Sequence, residues 1–272
     1  MKENDTIVTS YELEAELNSK KEDVINVLSN IPSLDKAVDG FRLGELIVIS
    51  GPTKNGKTLL AQSFTIEFVK QNIFPLWFTY EVHPRQFFRA FPELPLFYLP
   101  RRLKTNSTEW LLSKMQEGLK EYHTRVVFID HLHYLFDIAR VRNPSIEIGT
   151  IIRQLKTIAI EKGYIIFLLC HTRKGASDEK LSYESIRDSS FVSQESDCVL
   201  MISRNIKNPE TREAKLKIEF HRRTGILNKV VSLIKIDCFL REESYKKKSD
   251  SVISTDTMFV ENPDAFIEAD NG

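Results

Sequence analysis

Eight consecutive residues, Gly51-Pro52-Thr53-Lys54-Asn55-Gly56-Lys57-Thr58, satisfy the pattern G-x-x-x-x-G-K-[ST] in full. These residue types at this spacing bind phosphate. Gly51 and Gly56 let the backbone bend so that its N–H groups face one anion, and a helix starting at the end of the loop adds partial positive charge at the same point. Lys57 reaches the terminal phosphates, and the Thr58 hydroxyl suits Mg²⁺ as a hard oxygen ligand. The eight residues are therefore candidate nucleotide contacts, with ATP and Mg²⁺ as the expected ligands. The flanks agree. Leu46-Ile47-Val48-Ile49 is a continuous apolar run that suits a strand buried on both faces, and Leu59, Leu60, Phe64, Ile66 and Phe68 recur along a predicted helix. Strand, glycine-bounded loop and helix are the context that separates a P-loop from a surface turn that happens to hold Gly and Lys.

Three more residues follow predicted strands. Asp130 comes after Arg125 to Ile129 and reads as a Walker B carboxylate that holds Mg²⁺ opposite Thr58. Hydrolysis also needs a group that orients and polarises water. Many ATPases place a Glu directly after the Walker B Asp; here that position is His131, with no acid close behind. Glu81, after the strand Pro75 to Tyr80, is the alternative. His171, after the strand Tyr164 to Cys170, can hydrogen-bond a γ-phosphate and report its loss to the loop that follows.

These strands alternate with helices. Helices are predicted at Ser107 to Tyr122 and Ser145 to Lys162, the second with Ile148, Ile151, Ile152, Leu155, Ile158 and Ala159 on one face. A fifth strand, Cys198 to Ile202, precedes a hairpin formed by Lys215 to Phe220, a turn at His221 to Asn228, and Val230 to Phe239. The pattern predicts an α/β fold: a mainly parallel central sheet with helices on both faces and a C-terminal antiparallel hairpin. In such a sheet, ligands sit at the carboxyl ends of the strands. Glu81, Asp130 and His171 should therefore share the rim that carries the P-loop.

Residues 1–30 form a polar linker with a short helix at Ser10 to Lys20, residues 31–245 the ATPase domain, and residues 246–272 a polar, then acidic tail. Lys+Arg and Asp+Glu both total 38 among 272 residues, so the net charge is zero and a strongly basic nucleic-acid protein is excluded. A local basic patch is not. Cys170, Cys198 and Cys238 are far apart in apolar runs and read as buried free thiols. No run of 18 apolar residues and no signal peptide is present, so a cytoplasmic protein without a membrane partner is expected.

In family order over Ile31 to Leu240, six blocks carry a resemblance: IPSLDKAVDGFRLGELIVISGPTKNGKT, Tyr80-Glu81-Val82, FIDHLHYL, EIGTIIRQLKTIAIEKGYIIFLLCHTRK, IRDSSFVSQESDCVLMISR and EFHRRTG. The chain resembles the RecA-like motor domain of DnaB-type, superfamily 4 ring helicases, including their phage and Twinkle-like branch. The resemblance implies that Glu81 is the catalytic glutamate, His171 the phosphate sensor, Arg222 a finger entering the neighbouring subunit's site, and Arg204 an arginine near the nucleotide base. It also implies that the loops after Asp130 and His171 line a central channel. Arg140, Arg142, Arg173 and Lys174 would then meet nucleic acid. The family's Lys two residues before the finger is Phe220 here, and the adjoining Arg223 leaves the finger open between Arg222 and Arg223.

The expected activity is ATP hydrolysis at the subunit interfaces of a homo-oligomeric ring, a hexamer, which moves along single-stranded DNA as a replicative-type helicase. RNA stands as an alternative track, and a primase or loader as a partner. A ring collects a few loop cations per subunit into one pore, which reconciles the zero net charge with nucleic-acid binding. Two other classes fit a P-loop of this kind: a RadA- or KaiC-like ATPase of recombination or signalling, and an ATP-binding scaffold or adaptor.

Overall fold

A computed structural model describes residues 7–19, 25–135, 144–172, 189–204 and 212–243, together with Ile186. In chain order the elements are α1 (Ser10–Ser19), β1 (Asn26–Val27), α2 (Pro32–Val38), β2 (Phe41–Arg42), β3 (Leu46–Gly51), α3 (Lys57–Lys70), β4 (Leu76–Thr79) and α4 (Pro84–Arg89). There follow α5 (Thr108–Tyr122), β5 (Val126–Asp130), α6 (Pro144–Lys162), β6 (Ile165–His171), α7 (Ser189–Glu195), β7 (Cys198–Arg204), β8 (Glu213–His221), β9 (Ile226–Ile236) and β10 (Phe239–Glu242). A 3₁₀ turn, Leu132–Tyr134, follows β5.

Eight strands form one sheet in the order β10-β9-β8-β7-β3-β6-β5-β4. From β7 to β4 all neighbours are parallel, whereas β8, β9 and β10 are each antiparallel to their neighbour. The expected fold class is thus observed. Side chains of a strand alternate between faces, and both faces here are covered, which is why β3 is apolar throughout. Ile47 and Ile49 enter the core beneath α2 and α3, while Leu46 and Val48 enter the opposite core with α5, α6 and α7. The first core is aromatic. Trp77 stacks on Phe128 at 4.5 Å, Phe128 on Phe167 at 4.7 Å, and the Trp77 indole N–H donates to the Thr65 hydroxyl at 3.0 Å. Truncating any of these fully buried rings to Ala would cost about 3–5 kcal/mol. All six apolar residues predicted for one face of α6 are buried. Phe87 and Phe91 are buried against Phe97, so the aromatic stretch after β4 closes the end of the first core.

Several boundaries differ from the expected ones. The hairpin turn is shorter, because His221 pairs with Ile226 and only four residues lie between β8 and β9. Gly225 takes a positive φ of 69° there, while Asn228, which signals a turn in sequence, lies within β9 at φ 52°. The run Val230 to Phe239 is not one strand. Asp237, at φ 53°, reverses the chain and β10 returns along β9. β10 is anchored where the Leu240 N–H donates to the Ser63 hydroxyl and the Glu242 carboxylate accepts from Ser33. Cys238 sits in that turn and is only half-buried, unlike the buried Cys170 and Cys198. Ahead of α2, Asn26–Val27 pairs with Phe41–Arg42 and Val27 is fully buried, whereas Tyr11 and Leu13 of α1 face solvent.

Candidate active site

The P-loop joins β3 to α3, and its two glycines are needed for different reasons. A Cβ on Gly51 would stand 2.1 Å from the carbonyl oxygen of Ile202, so β7 approaches too closely for a side chain. At Gly56 a Cβ would meet only ordinary contacts, the nearest being Ile202 Cδ1 at 3.6 Å, but the residue holds φ 97°, a left-handed conformation from which α3 begins. Asn55 ties the loop to β7: its side-chain oxygen accepts from the Arg204 N–H at 2.7 Å. That contact puts Arg204, the last residue of β7, beside the loop. Lys57 is 5% exposed and folds back, donating to the carbonyls of Gly51 at 2.9 Å and Pro52 at 3.0 Å. An arriving phosphate would have to win the ammonium from these neutral acceptors, and a contact in which both partners are charged is the stronger bond. Burial depresses the Lys57 pKa, while Glu81 and Asp130 act to raise it.

Asp130 and His171 are themselves the last residues of β5 and β6, and Glu81 lies two past the end of β4, with Tyr80 between. Sheet register brings them to one rim. Gly51 is opposite His171, Thr79 is opposite Asp130, and the Tyr80 N–H donates to the Asp130 carbonyl at 2.7 Å. The Thr58 hydroxyl donates to Asp130 Oδ2 at 2.8 Å. Asp130 is 1% exposed, and its Oδ1 is buried with no hydrogen-bond partner. Burial lifts its pKa to about 6, with Glu81 adding to the rise and the Thr58 hydrogen bond and Lys57 opposing it. A hydroxyl beside a buried carboxylate with a spare oxygen is a hard-oxygen donor set that suits Mg²⁺.

Next to this pair, Glu81 Oε2 lies 3.5 Å from His131 Nδ1 and 3.5 Å from His171 Nε2. His131 also sits edge-on to Tyr134 and His171, at ring separations of 4.9 Å and 4.5 Å. Burial first, then the neighbouring His171, His133 and Lys57, hold the His131 pKa down at about 3. Burial and Lys57 depress His171 as well, with Glu81 pulling the other way. Two neutral imidazoles therefore flank the carboxylate. His131 was legible in sequence only as the residue standing where a Glu is common; its contact with Glu81 needs three strand ends brought together.

Arg222 and Arg223 lie in the β8–β9 turn. That turn is at the opposite end of the sheet, since His221 pairs with Cys198 and Cys198 with Ile47, at the start of the parallel strands. The Arg222 guanidinium is exposed and donates to the carbonyl of Gln194. Arg223 shares the exposed turn backbone, but its side chain is 27% exposed and turns inward. It bonds Glu45 Oε1 at 2.8 Å and the carbonyls of Val38 and Gly40 at 2.9 and 2.8 Å. Arg140, Arg142, Arg173 and Lys174, and most of the two loops that hold them, lie outside the described residues.

Residues 97–235 match the model of the DnaB-like helicase C-terminal domain, just over half of the chain. The chain belongs to that family. The matched stretch holds Asp130, His171, Arg204 and Arg222, while the P-loop and Glu81 precede it. A probable replicative DNA helicase of Trieres chinensis is 24% identical over 229 residues, which cover 71% of this chain and 50% of that protein. The chain thus spans about half the length of the curated relative it matches. Among solved structures, the ATPase domain of G40P superposes with a TM-score of 0.69 at 18% identity, over 85% of this chain and 96% of that one. A DnaB-like replicative helicase, described with its interactions with primase, gives 0.69 at 19% identity, over 89% and 68%. At these identities the likeness establishes the shared fold. Among the described residues no helix is long and apolar enough to cross a membrane.

Proposed function

We propose that this DnaB-family domain hydrolyses ATP at the interfaces of a homo-oligomeric ring, a hexamer, and uses the energy to move along single-stranded DNA as a replicative-type helicase. One observation carries the reading. Lys57, Thr58, Glu81, Asp130 and His171 meet at one rim of the sheet, while the exposed Arg222 stands at the other end, on the order of 15 Å away along the strands. A chain with the two halves of a phosphoryl-transfer site at opposite ends is completed by a second copy. On this reading residues 31–245 are the motor, residues 1–30 a linker and residues 246–272 a tail. A cytoplasmic or organellar setting and a primase or loader as partner fit the family.

The chemistry follows from the side chains. The backbone N–H groups of residues 53–58 and the Lys57 ammonium cradle the phosphates, Pro52 having no N–H to offer, and Arg204 lies beside the nucleotide. Thr58 and Asp130 would hold Mg²⁺, which would supply charge neutralisation of the phosphates. Glu81, flanked by the imidazoles of His131 and His171, orients the attacking water and takes up its proton. His171 donates to the γ-phosphate and reports its loss to the chain that follows β6. Arg222 enters the next subunit's site to stabilise transition-state charge. Arg140, Arg142, Arg173 and Lys174 are proposed to contact the nucleic-acid backbone in the channel.

The test measures ATP turnover against protein concentration, with and without single-stranded DNA or RNA, and strand separation of a forked duplex. The motor reading expects turnover that rises more steeply than linearly, stimulation by single strands that fades with salt, and unwinding with ATP but not with a non-hydrolysable analogue. Turnover that single strands leave unchanged, with no fork opened, would favour a KaiC-like ATPase; nucleotide binding without turnover would favour a scaffold.

A further inference from the structure

Glu81, His131 and His171 converge from the ends of three neighbouring strands, β4, β5 and β6. Two spacings from Glu81 Oε2 to imidazole nitrogens are 3.5 Å, and the three donor atoms all lie within 4.8 Å of one another. His131 Nδ1 is buried and has no hydrogen-bond partner, so it faces the carboxylate from just beyond bonding range. A tetrahedral ion bonded at about 2.0–2.1 Å to nitrogen and oxygen holds its ligands about 3.3–3.4 Å apart. Two of the three spacings match that figure with almost no movement, and the third, between the two imidazole nitrogens, is no more than 4.8 Å. Two imidazoles and one carboxylate favour a first-row transition ion over Mg²⁺, which prefers oxygen ligands in a regular octahedron. Glu81 is partly exposed, which leaves a path for the ion and room for a completing water.

We propose that Glu81, His131 and His171 form a binding site for a divalent first-row transition ion, distinct from the Mg²⁺ pair Thr58 and Asp130, and that filling it stops ATP hydrolysis. Oε2 engaged by the ion no longer accepts from water, and Nε2 of His171 no longer reaches phosphate. This inhibitory consequence rests on the reading of Glu81 as the group that orients water; the binding itself does not.

The probes are Co²⁺ and Zn²⁺, titrated into the full chain in millimolar Mg²⁺ without nucleotide. The expected result is one equivalent of Co²⁺ with the intense visible bands of a tetrahedral nitrogen–oxygen site, displaced by Zn²⁺. His131→Ala, His131→Gln and Glu81→Gln, each checked for folding by circular dichroism, should weaken binding by at least the roughly tenfold that even an outer-sphere partner can cost. Thr58→Ala, which touches only the Mg²⁺ pair, should keep the bands. Micromolar Zn²⁺ should then stop ATP turnover reversibly, with activity restored by a zinc-selective chelator. Bands that persist unchanged in folded His131 variants, or weak octahedral absorption removed by Mg²⁺, would overturn the site. Tetrahedral binding with undiminished turnover would overturn the inhibition. The role of Glu81 is decided separately, by the zinc-free turnover of Glu81→Gln.

Discussion

Replacing Arg223 and Arg222 by Ala should give opposite phenotypes, although the two residues are adjacent. Arg223 bridges Glu45, whose side chain is 9% exposed, and the carbonyls of Val38 and Gly40; its contact with Asp39 at 3.2 Å is to a side chain that is 61% exposed and adds little. Removing one partner of a buried ion pair costs about 3–5 kcal/mol. Two features reduce that figure here. The guanidinium is 27% exposed, so water replaces part of what is lost, and Glu45 keeps the hydrogen bond from the Arg42 N–H at 2.8 Å. The expected loss is about 2–3 kcal/mol, or about 5–10 °C in Tm for a chain of this size. Arg222→Ala removes an exposed side chain, so its effect on stability should stay within about 0.5 kcal/mol. Its hydrolysis should instead fall by about 10³-fold, the usual scale for an arginine finger. Thermal denaturation and ATP turnover on both variants check this. Mixing Arg222→Ala with Lys57→Ala subunits should restore some activity, because one kind of hybrid interface keeps both intact halves. A stable Arg223→Ala that does not hydrolyse, beside a fully active Arg222→Ala, would refute the assignment and move the finger to Arg223.

Three further outcomes are expected. Lys57→Ala should keep the fold, since the ammonium bonds only carbonyls of its own loop, yet lose nucleotide binding; normal turnover in a binding and ATPase assay would remove the P-loop assignment. Glu81→Gln should bind ATP but hydrolyse it about 10²-fold more slowly or worse, and turnover close to wild type in single-turnover kinetics would shift the role to another residue. Asp130 carries a pH signature. Its pKa rises from 3.8 in the unfolded reference to about 6 when buried, so the folded state holds the proton more tightly. Its stabilising contribution is present below pH 4 and is lost as pH rises through about 6, a cost of about 3 kcal/mol at neutral pH. Asp130→Asn should therefore raise the nucleotide-free Tm at pH 7 and flatten the pH 4–6 slope while abolishing Mg²⁺-dependent turnover; a lower Tm at pH 7 would contradict it.

What could be read from sequence was whatever depends on neighbours along the chain. The P-loop is a fixed spacing in eight residues, and Asp130 and His171 are polar residues that end apolar runs, so strand ends marked them without any knowledge of what lies beside them. β10 was hidden for the same reason: Val230 to Phe239 has the composition of one long strand, and the reversal rests on Asp237 adopting a left-handed backbone that its residue type permits but does not demand. The division of labour between Arg222 and Arg223 could not be read at all, because the partners of Arg223 lie 178 to 185 positions earlier in the chain. The same holds for His131, whose neighbours Glu81 and His171 come from strands on either side of its own. The surroundings of His131 are thus decided by the sheet order. That order puts β6 between the P-loop strand and the Asp130 strand, which sets His171 between the phosphate cradle and Glu81. A histidine in that place touches the carboxylate while Lys57 is folded back on its loop, and it can turn to phosphate when the ammonium does. On the proposed reading, hydrolysis and its report would share one residue, His171, whose Nε2 lies 3.5 Å from the Glu81 carboxylate.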